Sequence, residues 1–261
     1  MHVMYVYLYD PALKEKRFQS IMKTVENRLT DFGITGRIIR LTPFTNAKPI
    51  IEDEVARGSK TFVIVGNDTT FGHIMSSSAA LPVTFGYIPV GDDSAVAHSL
   101  GIPLNAPAVD VLSARKIEPL DIGWMNNRYF ISRIEIEPAP LSVEYDAQFR
   151  VRARDGEMGV TICNLLPFQG AHLGARDHVV HPQDVQLDAF LEPVEKKRWF
   201  RKRVTTQAAS IFPFREMVIR GRRPFTVVAD GRHSKEILLS IKLADVKLKM
   251  VVGKERMFGL S

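Results

Sequence analysis

The chain has a single cysteine, Cys163, so no internal disulfide can form. That fits a reducing compartment such as the cytoplasm. No apolar run approaches the roughly 20 residues of a membrane-spanning helix. The opening "MHVMYVYLYDPALKEKR" has no basic segment ahead of its apolar one, so a cleaved secretory signal is not expected. Internal repeats and low-complexity tracts are missing as well. What is left is an ordinary globular composition, 45% hydrophobic and 25% charged. A length of 261 residues suffices for one large domain or two modest ones.

Glycine is also sparse where a phosphate-binding loop would use it. The stretch "TFVIVGNDTTFGHIM" (61–75) reads as a buried strand running into a helix, joined by Gly66-Asn67-Asp68-Thr69-Thr70. Backbone N–H groups at such a helix start, helped by the helix dipole, suit an anion. A second strand-to-helix turn, Gly91 to Ser94, follows "VTFGYIPV" (83–90). In an open α/β sheet both turns fall at the carboxyl ends of strands, where ligands bind. The plainer reading is two ordinary turns with Asp68 or Asp93 as helix N-caps.

Strand and helix signals alternate up to about Leu120. "VMYVYLY" (3–9), "ITGRIIRL" (34–41), "TFVIV" (61–65) and "VTFGYIPV" are strand candidates. Between them, Phe18, Ile21, Met22, Val25, Leu29 and Phe32 recur at helical spacing, closed by Gly33. Further helices are expected at 46–57, 68–79 and 94–100. This pattern predicts a doubly wound parallel sheet over 1–120. From 121 to 261 come short strand candidates parted by Gly, Pro, Asp and Asn, with one possible helix near 194–210. That is an all-β, sandwich-like second domain. Cys163 sits in an apolar strand and reads as core.

The net charge of +6 is concentrated. Leu191 to Arg223 holds ten Lys/Arg against three acids, while the rest holds 25 against 26. Within it, "EKKRWFRKR" sets Trp199 and Phe200 among Lys196, Lys197, Arg198, Arg201, Lys202 and Arg203. Aromatic and basic residues together suit an anionic membrane surface. The same composition suits single-stranded nucleic acid stacking on Trp199, or a solvated loop with its aromatics in the core.

The order of these segments resembles the catalytic domain of bacterial diacylglycerol kinases and the related lipid kinases. "VGNDTT" is similar to the family's Gly-Gly-Asp-Gly-Thr turn, and "IPVGDDSAVAHSLGIP" to its second nucleotide loop. "VLSARKIEPLDIGWMNNRYFIS", "HPQDVQLDAF" and "PFTVVADGRHSKEILLSIKLADVKLKMVV" look like the start, middle and closing hairpin of its β domain. The resemblance implies an NAD-kinase-like α/β nucleotide domain, then a β-sandwich whose final tail packs back on the first domain, with an active cleft between the two. It also implies a cytoplasmic enzyme, peripheral at the inner membrane face, that passes the γ-phosphoryl of ATP, with Mg2+, to a lipid hydroxyl. The implied partners are a nucleotide, a lipid acceptor, an anionic membrane in preference to nucleic acid, and a second copy in a homodimer.

By that resemblance Gly66, Asn67, Asp68, Thr69, Thr70, Gly91 and Asp92 face the nucleotide. Asp68 would organise the metal or its waters. Six positions depart from the family, the mildest being Asn67 for a glycine, since Asn tolerates positive φ. Thr69 stands for a glycine, and a β-branched residue at positive φ would be strained. Asp92 stands for a nucleotide-contacting threonine, so Asp92 or Asp93 would either hold magnesium or cap a helix. Ser94 and Ala95 replace an Asn-Asp pair. Arg232 replaces the glutamate taken as the family's base, and a guanidinium cannot accept that proton. Asp230 and His233 are the remaining candidates; His233 needs a local bulge to reach the same face. Asp184 and Leu187 lie where the family has a structural metal loop. His172, Asp177, His178 and His181 fit no standard zinc spacing.

Overall fold

The computed structural model describes residues 5–42, 45–146, 149–152, 156–168, 179–196, 203–205 and 209–259, with backbone alone at 195–196 and 203–205. The chain divides into two compact units, 1–120 with 246–261, and 121–245. The first runs β1 (Tyr5–Tyr9), α1 (Lys16–Asp31), β2 (Gly36–Arg40), α2 (Ala47–Ala56), β3 (Thr61–Gly66), α3 (Asp68–Ser78), β4 (Thr84–Pro89), α4 (Ala95–Ser99), α5 (Ala108–Ala114) and β5 (Ile117–Leu120). The second runs β6 (Gly123–Met125), β7 (Arg128–Phe130), β8 (Arg133–Ala139), β9 (Leu141–Tyr145), β10 (Phe149–Arg152), β11 (Glu157–Cys163), β12 (Leu187–Lys196), β13 (Arg203–Thr205), β14 (Ser210–Phe214), β15 (Glu216–Ala229) and β16 (Arg232–Leu243). The chain then returns to the first unit with β17 (Leu248–Val251).

In the first unit the sheet order is β2-β1-β3-β4-β17-β5. β2, β1, β3, β4 and β17 are mutually parallel, and β5 is antiparallel to β17. Every residue of β1, β3 and β4 is buried, as expected of parallel strands covered on both faces. α1 turns Met22, Val25 and Leu29 inward at i, i+3 and i+7. Phe32, read as part of that stripe, is the C-cap residue and is 44% exposed, with the Arg28 guanidinium over its ring. Gly33 ends the helix at φ 63°; its N–H and that of Ile34 return to Thr30 and Leu29. α5 was not read from the sequence, because seven residues with three buried apolar ones, Ala108, Val109 and Leu112, make too short a signal. It packs on β4 at Gly86, where a Cβ would stand 2.8 Å from Leu112. Arg28 and Asp110 join α1 to α5 through a two-pronged bridge of 2.8 and 2.6 Å.

Among the described residues the second unit forms one eleven-stranded sheet whose main path is β13-β12-β11-β8-β15-β16-β6-β7. Its pairings are antiparallel throughout. Strands far apart on that path, β6 and β12 among them, send Met125, Leu187 and Leu191 into one shared core with Ile162, Ile219 and Leu239. The sheet therefore folds over on itself, which makes the unit sandwich-like. Cys163 is buried beside Val180 and Phe190, and burial pushes its thiol well above the usual range. Two readings are corrected here. The strand candidates "EMVIRG" (216–221) and "PFTVVADG" (224–231) are not separate: through Ala229 they form one strand, β15, with a register shift inside it, and Asp230-Gly231 turn. The helix suggested near 194–210 is absent among the described residues; Val194–Lys196, Arg203–Thr205 and Ser210 all lie in strands. No helix among the described residues is long and apolar enough to cross a membrane.

Candidate functional site

Three neighbouring strands of the first sheet end at one edge. Asp10 follows β1, Gly66–Thr70 follows β3, and Gly91–Ser94 follows β4. The Asp10 N–H donates to the Val65 carbonyl at 2.9 Å, and the Val90 N–H to the Gly66 carbonyl at 2.8 Å. Gly66 is needed for clearance: a Cβ there would lie 2.6 Å from the Asp10 Cβ.

The start of α3 differs from the expectation in two ways. Asn67 is its N-cap, with φ −105° and ψ 176°, and its side-chain oxygen takes the Thr70 N–H at 2.9 Å. Asp68 is the first helical residue, so the capping role read for it belongs to Asn67. Thr69 lies within the helix and not at positive φ, so no strain attaches to it. The first amides of a helix have no carbonyl one turn back to take. Thr70 is supplied by its cap, which leaves the N–H groups of Asp68 and Thr69 at the helix mouth. Asn67 and Thr69 are exposed.

Asp68 instead gathers its neighbours. Its Oδ1 accepts from the Ser94 hydroxyl and from the Tyr87 hydroxyl at 3.0 Å. Its Oδ2 accepts from the Val96 N–H at 3.2 Å. Ser94 also caps α4 by accepting the Ala97 N–H at 3.0 Å, so the capping read for Asp93 belongs to Ser94. Burial holds the Tyr87 phenol far above its usual range, which keeps it a donor. On the other flank the Thr70 hydroxyl donates to Asp10 Oδ2, and Asp10 Oδ1 takes the Ala12 N–H at 2.7 Å. Asp92 and Asp93 are exposed. Gly91 has φ 139°, with nothing near where a Cβ would be, so its need is for backbone freedom. Asn105 grips it from both sides, its Oδ1 on the Gly91 N–H and its Nδ2 on the Gly91 carbonyl, each at 3.1 Å.

Asp10, Tyr87 and Asn105 were missed by the sequence reading. The one available signal was position, since Asp10 directly follows the first strand.

In the second unit the candidates separate. Asp230 is the turn residue between β15 and β16, at φ 47°, followed by Gly231 at φ 77°. Its carboxylate accepts from the N–H groups of Ile131, Ser132 and Arg133, at 2.7, 2.8 and 3.1 Å. Burial pushes the Asp230 carboxyl above its usual range, and these amides pull against that. A carboxylate engaged by three amides shapes the turn between β15 and β16. His233 pairs opposite Val228 in unbroken register, so the bulge it needed is not there. It is exposed, while Arg232 and Ser234 are half-buried on the other face. Asp184 takes the Gln186 N–H at 3.1 Å, and Leu187 is a buried β12 residue opposite Phe214. No group of three His, Cys, Asp or Glu that could hold a metal occurs among the described residues. Lys197, Arg198, Trp199, Arg201 and Lys202 lie outside the described residues, as do His172, Asp177 and His178. Lys196 and Arg203 are described by backbone alone, in β12 and β13.

Residues 5–125 match the family model of the diacylglycerol kinase catalytic domain. Over that segment the chain is similar to the diacylglycerol kinase family. That match contains both strand-end loops and the Asp10, Tyr87 and Asn105 that hold them. The diacylglycerol kinase of Bacillus subtilis (strain 168) is 26% identical over 129 residues, which cover 48% of this chain and 43% of that protein. The chain thus spans less than half the length of that curated relative in the alignment. The fold extends further. The crystal structure of a diacylglycerol kinase from Bacillus anthracis str. Sterne superposes with a TM-score of 0.72 at 18% identity, covering 97% of this chain and 98% of that one. A second structure from that organism gives 0.75 at 17% identity with the same coverage. At such identity these likenesses speak for the fold.

Proposed function

We propose that the chain binds ATP at the carboxyl edge of its first sheet and transfers the γ-phosphoryl group to a lipid hydroxyl at a membrane surface. One observation carries this. In the segment matching the kinase family, two helix starts are tied together through Asp68, with the Asp68 and Thr69 amides presented at the edge. That arrangement suits phosphate oxygens. Gly66 keeps a side chain out of the approach, and Asn105 fixes the second loop. A magnesium ion, when bound, would neutralise charge shared between phosphate oxygens. Asp92 and Asp93, exposed on the second loop, are the carboxylates free in geometry to meet it, and Asp68 and Asp10 orient the loops. The basic run from Lys196 to Arg203 belongs to the membrane side of this reading.

A second reading is favoured by the closing hairpin. Arg232 cannot take a proton, Asp230 is engaged by three amides, and His233 is exposed on the strand face opposite Arg232. On this reading the protein binds nucleotide and lipid without turnover.

Calorimetric titration with ATP, with and without magnesium, tests the first step, using Thr69→Glu as the variant. An acid in the first helical turn agrees with the helix dipole, so stability should stay within about 0.5 kcal/mol. The same charge opposes a bound phosphate, so affinity should fall about tenfold or more. No binding by the wild type at millimolar ATP would sink both readings. Binding followed by no phosphate transfer to diacylglycerol in mixed micelles would leave the second.

A further inference from the structure

β15 and β16 pair regularly on both sides of a defect. Arg220 stands opposite Leu238, and the next matched pair is Phe225 with Glu236. Four residues of β15, Gly221 to Pro224, therefore oppose Ile237 alone. Such irregularities re-aim side chains. Before the defect Ile219 and Leu239 face the core, and beyond it Phe225 and Val227 do. Between them β16 turns two successive aliphatic residues to solvent, Ile237 at 58% exposure and Leu238 at 44%. The excursion on β15 is tightly made: a Cβ on Gly221 would stand 2.6 Å from the Phe225 ring and 2.7 Å from the Arg223 carbonyl.

Cations surround this exposed pair. Arg222 and Arg223 are exposed on the excursion, with Arg220 before it and Lys235 on the facing strand. Arg152 joins them across β10 and β9, through Ser142, which is in register with both Arg152 and Arg220. Its Nε donates to the Ser142 hydroxyl at 3.1 Å. Two of the acids near the defect have partners of their own. Glu144 meets Arg150 at 2.7 Å, and Glu236, half-buried, takes the Asn126 amide at 3.2 Å.

We propose that this hairpin defect is a docking surface for an anionic lipid bilayer. Ile237 and Leu238 would enter the headgroup boundary while the arginines meet anionic headgroups. The exposed groups at the defect are aliphatic, so they offer no ring on which a nucleic acid base would stack. The inference deepens the proposed action at a membrane, and it needs no nucleotide.

Sedimentation with vesicles of phosphatidylcholine containing 30% phosphatidylglycerol, without nucleotide, tests it on the full chain. Arg222→Ala with Arg223→Ala should weaken partitioning about 30-fold, from roughly 1 kcal/mol for each basic residue near such a surface. Ile237→Ser with Leu238→Ser should weaken it about tenfold or more, and should remove the part of the binding that survives high salt. Lys48→Ala with Lys60→Ala, which lowers charge equally, should leave partitioning within about twofold. If the serine pair unfolds the protein, the arginine pair carries the test. Unchanged partitioning of the arginine pair would overturn the proposal. So would a change of oligomeric state with vesicle binding intact, since the surface would then serve a second copy. ATP titrations of the same variants should match the wild type, which keeps this result separate from the nucleotide reading.

Discussion

Asp68 opens a helix and Asp230 makes a turn; each collects several donors, but the donors differ. Asp68 is held by two hydroxyls and one amide. Hydroxyls rotate and can donate or accept, so this cluster can rearrange around a ligand. Asp230 is held mainly by three consecutive backbone amides, which can only donate from fixed positions, with the Ser132 hydroxyl beside them. The first arrangement joins two helix starts. The second fixes the β7–β8 connection against the closing hairpin. Identical side chains thus serve adaptation in one unit, where hydroxyls dominate, and rigidity in the other, where backbone amides do.

The sharpest way to break this comparison is one substitution at both places. Asp230→Asn sets an amide NH2 against backbone N–H groups, and should lower unfolding free energy by about 3 kcal/mol in urea titration. Asp68→Asn keeps partners able to swap roles and should cost about 1 kcal/mol. Equal losses would show that the nature of the donors does not matter. Next in size, Gly66→Ala should cost about 2 kcal/mol by crowding Asp10 and should also weaken ATP binding. Tyr87→Phe removes one donor from Asp68 and should cost about 1 kcal/mol by thermal unfolding. The smallest effect concerns pH. Because the net shift of Asp230 is upward, its stabilising contribution is complete below the ordinary carboxylate value of about 4 and is lost as pH rises through the raised folded value. The stability gap between wild type and Asp230→Asn should therefore narrow as pH climbs from about 4. A widening gap would mean that the amides outweigh burial.

Local rules carried most of the first unit. The fully apolar runs of β1, β3 and β4, the inward stripe of α1 and the Gly33 cap are all statements about neighbours in the chain. What escaped depends on distant partners. Thr70 meets Asp10 across 60 residues, Asp68 meets Ser94 across 26, and Asn105 reaches back 14 to Gly91. The N-caps were misassigned by one residue at both helix starts, because Asp and the true caps Asn67 and Ser94 all favour such positions. In the second unit, strand existence was legible from Gly and Asp punctuation. The merger of two segments into β15 was not, because a register shift is set by the opposite strand.

The position of β17 bears on how the chain can be made. It lies between β4 and β5 in the first sheet, and its approach to α4 is close enough that a Cβ on Gly253 would stand 1.7 Å from the Gly101 carbonyl. Between β5 and β17 the ribosome must deliver all of residues 121–245. At bacterial-scale elongation of about 5–20 residues per second, that leaves roughly 6–25 s in which the β4 edge has no partner. An open strand edge recruits other chains. The nascent protein thus has its greatest exposure to aggregation before its final strand emerges, when its first unit is nearly, but not fully, assembled.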